Sequence, residues 1–391
     1  MEKQLKFLVH SDCTWFKGDH PCRFWRPCMD CTEYRPIQRR VLIVMLIKLG
    51  DMLIASALPK ALKMAKEGTH ITWLVDRSCA EIVRMNPYVD SVLEYSWETI
   101  LALETCKFDL ILGFEREKAA AALVEKLSGG VKRGLAYGGQ HNGLYPLCEK
   151  SQYFFRLNVW NEFRIQINQK SWTEFYFELA GLKYSGEPYE LELSEDRRQK
   201  AYNLTCSIDG EQRPLLIFNL GGSLTIKIWP VERWIELIEI TGSWGFGIVL
   251  TYGSAEKEML EKIQGALSIK IAKKVIAPDT QDDIGTLAAL YRLAVGVVTG
   301  DTLGMHLALW AKKRLVALFG PSSTAEVIPK EVKNVSVLRS GFTCSPCAHQ
   351  VACGGVGGCM AEISVERVVN ALKDQLGEDL LIPSGLSNIH S

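Results

Sequence analysis

Residues 40–51 read RVLIVMLIKLGD, an apolar run that ends in Gly50-Asp51 and sets the fold class. Eight residues, Arg40–Ile47, are almost continuously apolar, as expected of a strand buried on both faces of a parallel sheet. Beyond Asp51, Leu53, Ala57, Leu58 and Leu62 recur at helical spacing. The pair is a βα unit. The same texture returns in HITWLVD (70–76), SVLEY (91–95), FDLILGF (108–114) and VKRGLAY (131–137), separated by helical stretches such as SCAEIVRM and EKAAAALVEKL. Strands alternating with helices predict a parallel, helix-covered sheet. The stretch from Tyr137 to Phe177, rich in aromatic and polar residues and carrying Arg164, reads as loop and helix near a binding face.

A second alternation starts at PLLIFNL (214–220) and runs through PVERWIELIEI, FGIVLTY, AEKEMLEKI, DIGTLAALYRL, GVVTG, GMHLALWA and RLVALFG. The chain of 391 residues is too long for one ordinary core, so two lobes are expected. The expected division is a Cys-rich unit over 1–36, lobes over 37–182 and 183–375, and a polar tail over 376–391.

Composition narrows the function classes. Forty-five basic and 45 acidic residues balance, so no global field draws the chain to nucleic acid or an anionic membrane. Oligonucleotide binding by Lys17, Arg23 and Arg26 beside aromatics is a minor option. The first residues, MEKQLKFLVHSDCTWFKGD, lack the apolar core of a secretion signal, and no window of about 18 uninterrupted apolar residues suggests a spanning helix. A cytoplasmic protein is expected, with peripheral contact at the inner membrane as a variant of that reading.

Neither GxGxxG nor GxxxxGK[ST] follows a predicted strand, which weakens a dehydrogenase or P-loop reading. In open α/β sheets ligands bind beyond the carboxyl ends of strands, so the residues there are the candidates. Asp51 follows the first strand and has two readings: a helix cap satisfying orphan N–H groups, or a general base for an attacking hydroxyl. After PLLIFNL come Gly221, Gly222, Ser223 and Lys227, just before a helix opened by Trp229-Pro230. Backbone donors, a hydroxyl, a cation and a helix N-terminus suit a diphosphate. The competing reading is an exposed lysine beside a turn. After GVVTG come Asp301, Thr302, Gly304 and His306, again at a strand-to-helix turn.

The ordered set RVLIVMLIKLGDMLIASALPKAL, LIFNLGGSLTIKIWPVERWIELI, VVTGDTLGMHLALW and RLVALFGPSSTAEVIP resembles glycosyltransferase family 9, the ADP-heptose:lipopolysaccharide heptosyltransferases. The resemblance implies a GT-B fold: two Rossmann-like doubly wound α/β domains facing a cleft, here with a small N-terminal Cys-rich module. It implies an inverting enzyme with the acceptor on the N-terminal domain and an ADP-sugar on the C-terminal one. It gives Asp51 the general-base role and makes Ser223 and Lys227 donor-phosphate residues, so that no catalytic metal is needed. It places Gly253 and Glu256 near the nucleoside. Asp301, Thr302 and His306 match the family's D-T-G-x-x-H turn, with a departure: Leu303 stands in place of glycine, and Gly304 follows it.

Two cysteine groups remain. Cys13, Cys22, Cys28 and Cys31 form one; Cys344, Cys347, Cys353 and Cys359 form the other. Four thiols in a short loop-rich stretch suit a structural zinc, with iron or an iron–sulfur cluster as the rival, and free or disulfide-paired thiols as a further reading of the second group. The resemblance implies that groups similar to the second one, Cys344 to Cys359, occur in many members of the family, and that in its autotransporter heptosyltransferases a comparable group holds iron. Transfer of a heptose or related sugar to lipopolysaccharide core, another lipid-linked glycan or a protein acceptor is the expected function. The alternatives are another nucleotide sugar on the same fold, or an inactive sugar-nucleotide-binding or assembly protein.

Overall fold

The computed structural model describes residues 9–16, 18, 22–138, 141–206, 208, 213–222, 224–280, 283–348 and 358–377. Its contacts divide into two compact units. One gathers the described residues up to Ile47 with Ala57–Phe155 and Tyr176–Lys183; the other gathers Lys48–Ser56, Arg156–Phe175 and the described residues from Tyr184 onward.

The first unit holds a six-stranded sheet of order β3-β2-β1-β4-β5-β6. Its strands are β1 (Arg39–Val44), β2 (Thr69–Val75), β3 (Ser91–Glu94), β4 (Phe108–Gly113), β5 (Gly129–Gly138) and β6 (Gly143–Pro146). β1 lies between β2 and β4, with Val44 level with Leu74 on one side and Gly113 on the other. Val41–Val44 are fully buried, which is why the run shows no alternation: helices cover both faces of the strand. All pairings are parallel except β5 with β6. β6 and the helices Ser151–Val159 and Trp172–Ala180 lie in the stretch read from sequence as loop and helix. GLYP carries neither a period of two nor a β-branched residue, so its pairing with Leu135–Gly138 is imposed by the neighbouring strand.

The second unit holds a wholly parallel six-stranded sheet of order β12-β11-β10-β7-β8-β9. Here the strands are β7 (Leu215–Asn219), β8 (Gly247–Thr251), β9 (Val275–Ile276), β10 (Ala294–Gly300), β11 (Arg314–Phe319) and β12 (Val335–Arg339). One face is covered by the helices Val231–Ser243 and Val365–Leu376. Trp234, Leu237 and Ile238 of the former share a fully buried cluster with Val368 and Leu372 of the latter and with Leu216 and Phe218 of β7. Trp229 meets Trp234 edge-on at 4.9 Å and donates its indole N–H to the carbonyl of Ile363 at 2.9 Å.

Both sheets have the doubly wound order in which the chain starts centrally, winds to one edge and returns to wind to the other. The fold class expected from the sequence, two Rossmann-like α/β domains, is the one observed. In each sheet the winding reverses beside the first strand, between β1 and β4 and between β7 and β10, and that reversal leaves a crevice at the carboxyl ends.

Candidate functional site

In the second unit the predicted residues converge on the carboxyl ends of β7, β8 and β10. Asn219, the last residue of β7, organises them. Its side-chain amide donates to Thr302 Oγ1 at 2.9 Å, Thr299 Oγ1 at 3.2 Å and the Gly221 carbonyl at 3.3 Å, and its oxygen accepts from Thr251 Oγ1 at 3.0 Å. One amide thus ties the ends of three adjacent strands together. Asn219 and Tyr291, which shares a hydrogen bond with Thr251 at 3.2 Å, were not candidates from the sequence. The asparagine ending PLLIFNL is the signal that could have found the first; nothing local marks Tyr291.

Beyond β10, Thr302 caps the helix Leu303–Trp310 by accepting from Gly304 N at 3.2 Å. A Cβ on Gly304 would lie 2.5 Å from the Tyr291 hydroxyl and 2.8 Å from Asn219 Cγ. The shifted glycine of the D-T-L-G-M-H turn is therefore where the neighbouring side chains leave no room for a larger residue. Beyond β8, Glu256 is buried and accepts from Gly253 N at 2.8 Å, and a Cβ on Gly221 would stand 3.1 Å from the same carboxylate oxygen. Gly221, Gly253 and Glu256 form one corner. Gly222 lies against the Lys227 Cβ, and Ser223 lies outside the described residues.

Lys227, on the short turn Thr225–Lys227, places its ammonium 2.6 Å from Asp301 Oδ2. Burial alone would raise the Asp301 carboxyl; Lys227, aided by hydrogen bonding from Ser322, outweighs it and holds the group below its ordinary range. His306 is buried, and burial pushes its imidazole down to about 4 despite the attraction of Asp301, with Lys227 adding to the fall. The ring is neutral at physiological pH, and its Nδ1 has no hydrogen-bond partner among the described residues.

The helix Leu49–Ala55 packs on the helix Leu303–Trp310. A Cβ on Gly50 would come within 3.2 Å of His306 Cδ2, so glycine permits this approach. Asp51 is not the cap. The N-cap position is Lys48, at φ 73° with no side-chain cap, and Asp51 is the third helical residue. The same unit holds a pair the sequence did not single out: Arg164 grips Glu326 through two bonds of 2.6 Å, and Glu326 is almost wholly buried. The Arg164 guanidinium is held charged by Glu326 and also feels Asp301 and Asp51, although burial opposes it. Lys227, Asp301, Arg164, Glu326 and Asp51 are thus one electrostatic neighbourhood, with two cations facing three carboxylates.

The model of glycosyltransferase family 9 (heptosyltransferase) matches residues 97–354. The chain belongs to glycosyltransferase family 9. Among the family's members, lipopolysaccharide heptosyltransferase 1 of Pseudomonas aeruginosa is 25% identical over 79% of this chain and 86% of its own length. Two solved structures of the family share the fold. A glycosyltransferase of family 9 from Veillonella parvula superposes with a TM-score of 0.66 at 20% identity, covering 87% of this chain and 97% of its own. The ADP-heptose lipopolysaccharide heptosyltransferase II of E. coli gives 0.63 at 19%, covering 86% and 98%.

The second cysteine group is only partly described. Cys347 and Cys359 are buried beside the Gly320–Pro321 turn, Cys344 is exposed, and Cys353 lies outside the described residues. Among the described residues no three His, Cys, Asp or Glu side chains converge on a point suited to a metal ion, and no helix is long and apolar enough to cross a membrane.

Proposed function

We propose that this family 9 glycosyltransferase takes its sugar from an ADP-heptose-type donor bound at the carboxyl ends of β7, β8 and β10. The sugar passes, with inversion, to a hydroxyl of a lipopolysaccharide-core or related glycan acceptor. The observation that carries the reading is Lys227, a largely buried ammonium at the switch point of a doubly wound sheet and beside the capped turn 301–304. Gly221 and Gly222 supply close backbone approach, and Gly253 and Glu256 bound the adjoining corner where the nucleoside would lie.

In this reading Asp51 accepts the proton of the acceptor hydroxyl as its oxygen bonds to the anomeric carbon. The bond from that carbon to the diphosphate breaks, and its electron pair leaves with ADP. Lys227 neutralises the charge growing on the departing diphosphate, in the manner of electrostatic preorganisation. Neutral His306 keeps the floor of the site free of a further charge, so the cation facing the phosphates is Lys227. Binding of the diphosphate competes with Asp301 for that ammonium. This competition makes the Lys227–Asp301 pair a resting arrangement that the donor exchanges for its own.

A second reading, the same fold with another nucleotide sugar, draws on the displaced glycine of the 301–306 turn. The experiment is a transfer assay with ADP-heptose and a heptose-deficient lipopolysaccharide core, with the anomeric configuration of the product read by NMR. Product of inverted configuration supports the proposal; no transfer from ADP-heptose, with transfer from another nucleotide sugar, replaces it by the second reading.

A further inference from the structure

The segment 9–36 takes no part in the proposed chemistry, and its described residues include no fully buried side chain. A stretch of this length with no apolar core needs another source of order. Its backbone is nevertheless specific. Each of its four cysteines opens a tight turn whose carbonyl accepts from the residue three on: Phe16 N to Cys13 O at 3.0 Å, Trp25 N to Cys22 O at 3.0 Å, Cys31 N to Cys28 O at 3.3 Å and Tyr34 N to Cys31 O at 3.4 Å. Turns of this kind direct successive backbone N–H groups toward the side chain of the first residue, the arrangement that stabilises an anionic ligand atom.

The ends of the segment are clamped so that the first cysteine stands near the last pair. Thr14 N donates to Arg35 O at 2.8 Å, Ile37 N to Asp12 O at 2.7 Å, and the Tyr34 hydroxyl to Asp12 Oδ2 at 2.7 Å. All four cysteines line one cavity of about 260 Å³, walled by Trp15, Phe24 and Met29 among others, and none of the four is in a disulfide. Trp15, on the wall, keeps a buried indole N–H without an acceptor among the described residues. Arginines surround the rings: Arg23 lies 3.8 Å and Arg35 5.7 Å from the Trp15 centroid, and Arg26 5.9 Å from that of Phe24.

We propose that Cys13, Cys22, Cys28 and Cys31 together bind a thiophilic metal centre as four thiolates. Each thiol releases its proton to solvent as its sulfur bonds to the metal. Four thiolates on a divalent centre leave a net double negative charge, which the arginines offset. The sulfurs ring the cavity without three of them meeting at a point, so they close by side-chain rotation on a single zinc or enclose an iron–sulfur cluster. Tetrathiolate ligation is common to both. With no open coordination position, the centre orders the segment and does no chemistry.

The test is elemental analysis of the full chain, purified without chelator under anaerobic conditions, for zinc, iron and acid-labile sulfide. It is repeated on Cys28→Ser/Cys31→Ser and on Cys344→Ser/Cys347→Ser, and metal release is followed during titration with a mercurial. A full equivalent of zinc, or of iron with sulfide, should be lost in the first variant and kept in the second. The thermal transition of the two large units and ADP binding by the first variant, unchanged, would show that the loss is local. A wild-type chain that holds no metal after exposure to zinc, or to iron and sulfide, would overturn the proposal. So would a metal content that Cys28→Ser/Cys31→Ser leaves intact.

Discussion

Lys227 Nζ lies 2.6 Å from Asp301 Oδ2, and each side chain keeps only 12% of its surface exposed. A pair this deeply placed is poor evidence of stability gained, because desolvation offsets much of the attraction; the larger effect comes from removing one partner alone. Lys227→Ala strands a buried carboxylate and should destabilise the protein by about 3 kcal/mol. Adding Asp301→Asn should restore most of that loss, since the uncompensated charge is gone. Urea unfolding of the two variants measures both effects, and additive losses would mean that the residues do not act as a pair.

Asp51 separates catalysis from stability. Because Lys48 occupies the N-cap position, Asp51→Asn should change unfolding free energy by less than about 1 kcal/mol, within the range of a side chain that is not a cap. Transfer should fall by roughly 10²–10⁴-fold, as expected on loss of a general base, while ADP affinity stays within about 2-fold. A stability loss that parallels the activity loss would return Asp51 to a structural role.

Gly304 has neighbours that do not yield. Its missing Cβ would stand 2.5 Å from the Tyr291 hydroxyl, so Gly304→Ala should cost about 1–3 kcal/mol as overpacking. Tyr291→Phe in the same background should recover part of it by removing the nearest atom. Thermal denaturation of the single and double variants checks this, and an unshifted midpoint in Gly304→Ala would show that the turn has slack.

His306 gives a pH dependence. Burial lowers its imidazole from an ordinary value of 6.5 to about 4, so below pH 6.5 the unfolded chain binds the proton that the folded chain refuses. Stability should therefore fall as pH drops from about 6.5 toward 4, by at most about 3 kcal/mol from this group. Glu326, raised by burial against the pull of Arg164, contributes with the opposite sign from its ordinary value of 4.5 upward. The share of His306 between about pH 6.5 and 4 is therefore read as the difference between the wild type and a variant at this position. His306→Asn should flatten the profile there, and an unchanged slope would mean that the ring is hydrated in solution.

The fold was legible because parallel strands covered on both faces leave continuous apolar runs, as in VLIV of β1 and LLIF of β7. β6 was not, because its pairing comes from a neighbour and not from its own GLYP. In the site, residues beyond strand ends could be found by position alone: Asp51, Gly221, Lys227 and Asp301 all stand there. Asn219 and Tyr291 escaped because their role is to hold strand ends together across long distances in sequence, 80 residues from Asn219 to Thr299 and 40 from Tyr291 to Thr251, and no local pattern records that. Arg164 and Glu326 are 162 residues apart, and only the folded chain pairs them.

The proposed reaction stands or falls with an ADP-sugar held at the carboxyl ends of β7, β8 and β10. Calorimetric titration of the purified protein with ADP and ADP-heptose, alongside UDP and GDP, measures that binding. ADP and ADP-heptose should bind, with at least 10-fold weaker binding of UDP and GDP, a difference of about 1.4 kcal/mol. Equal or tighter binding of UDP or GDP, or no heat with any adenine nucleotide, would contradict it.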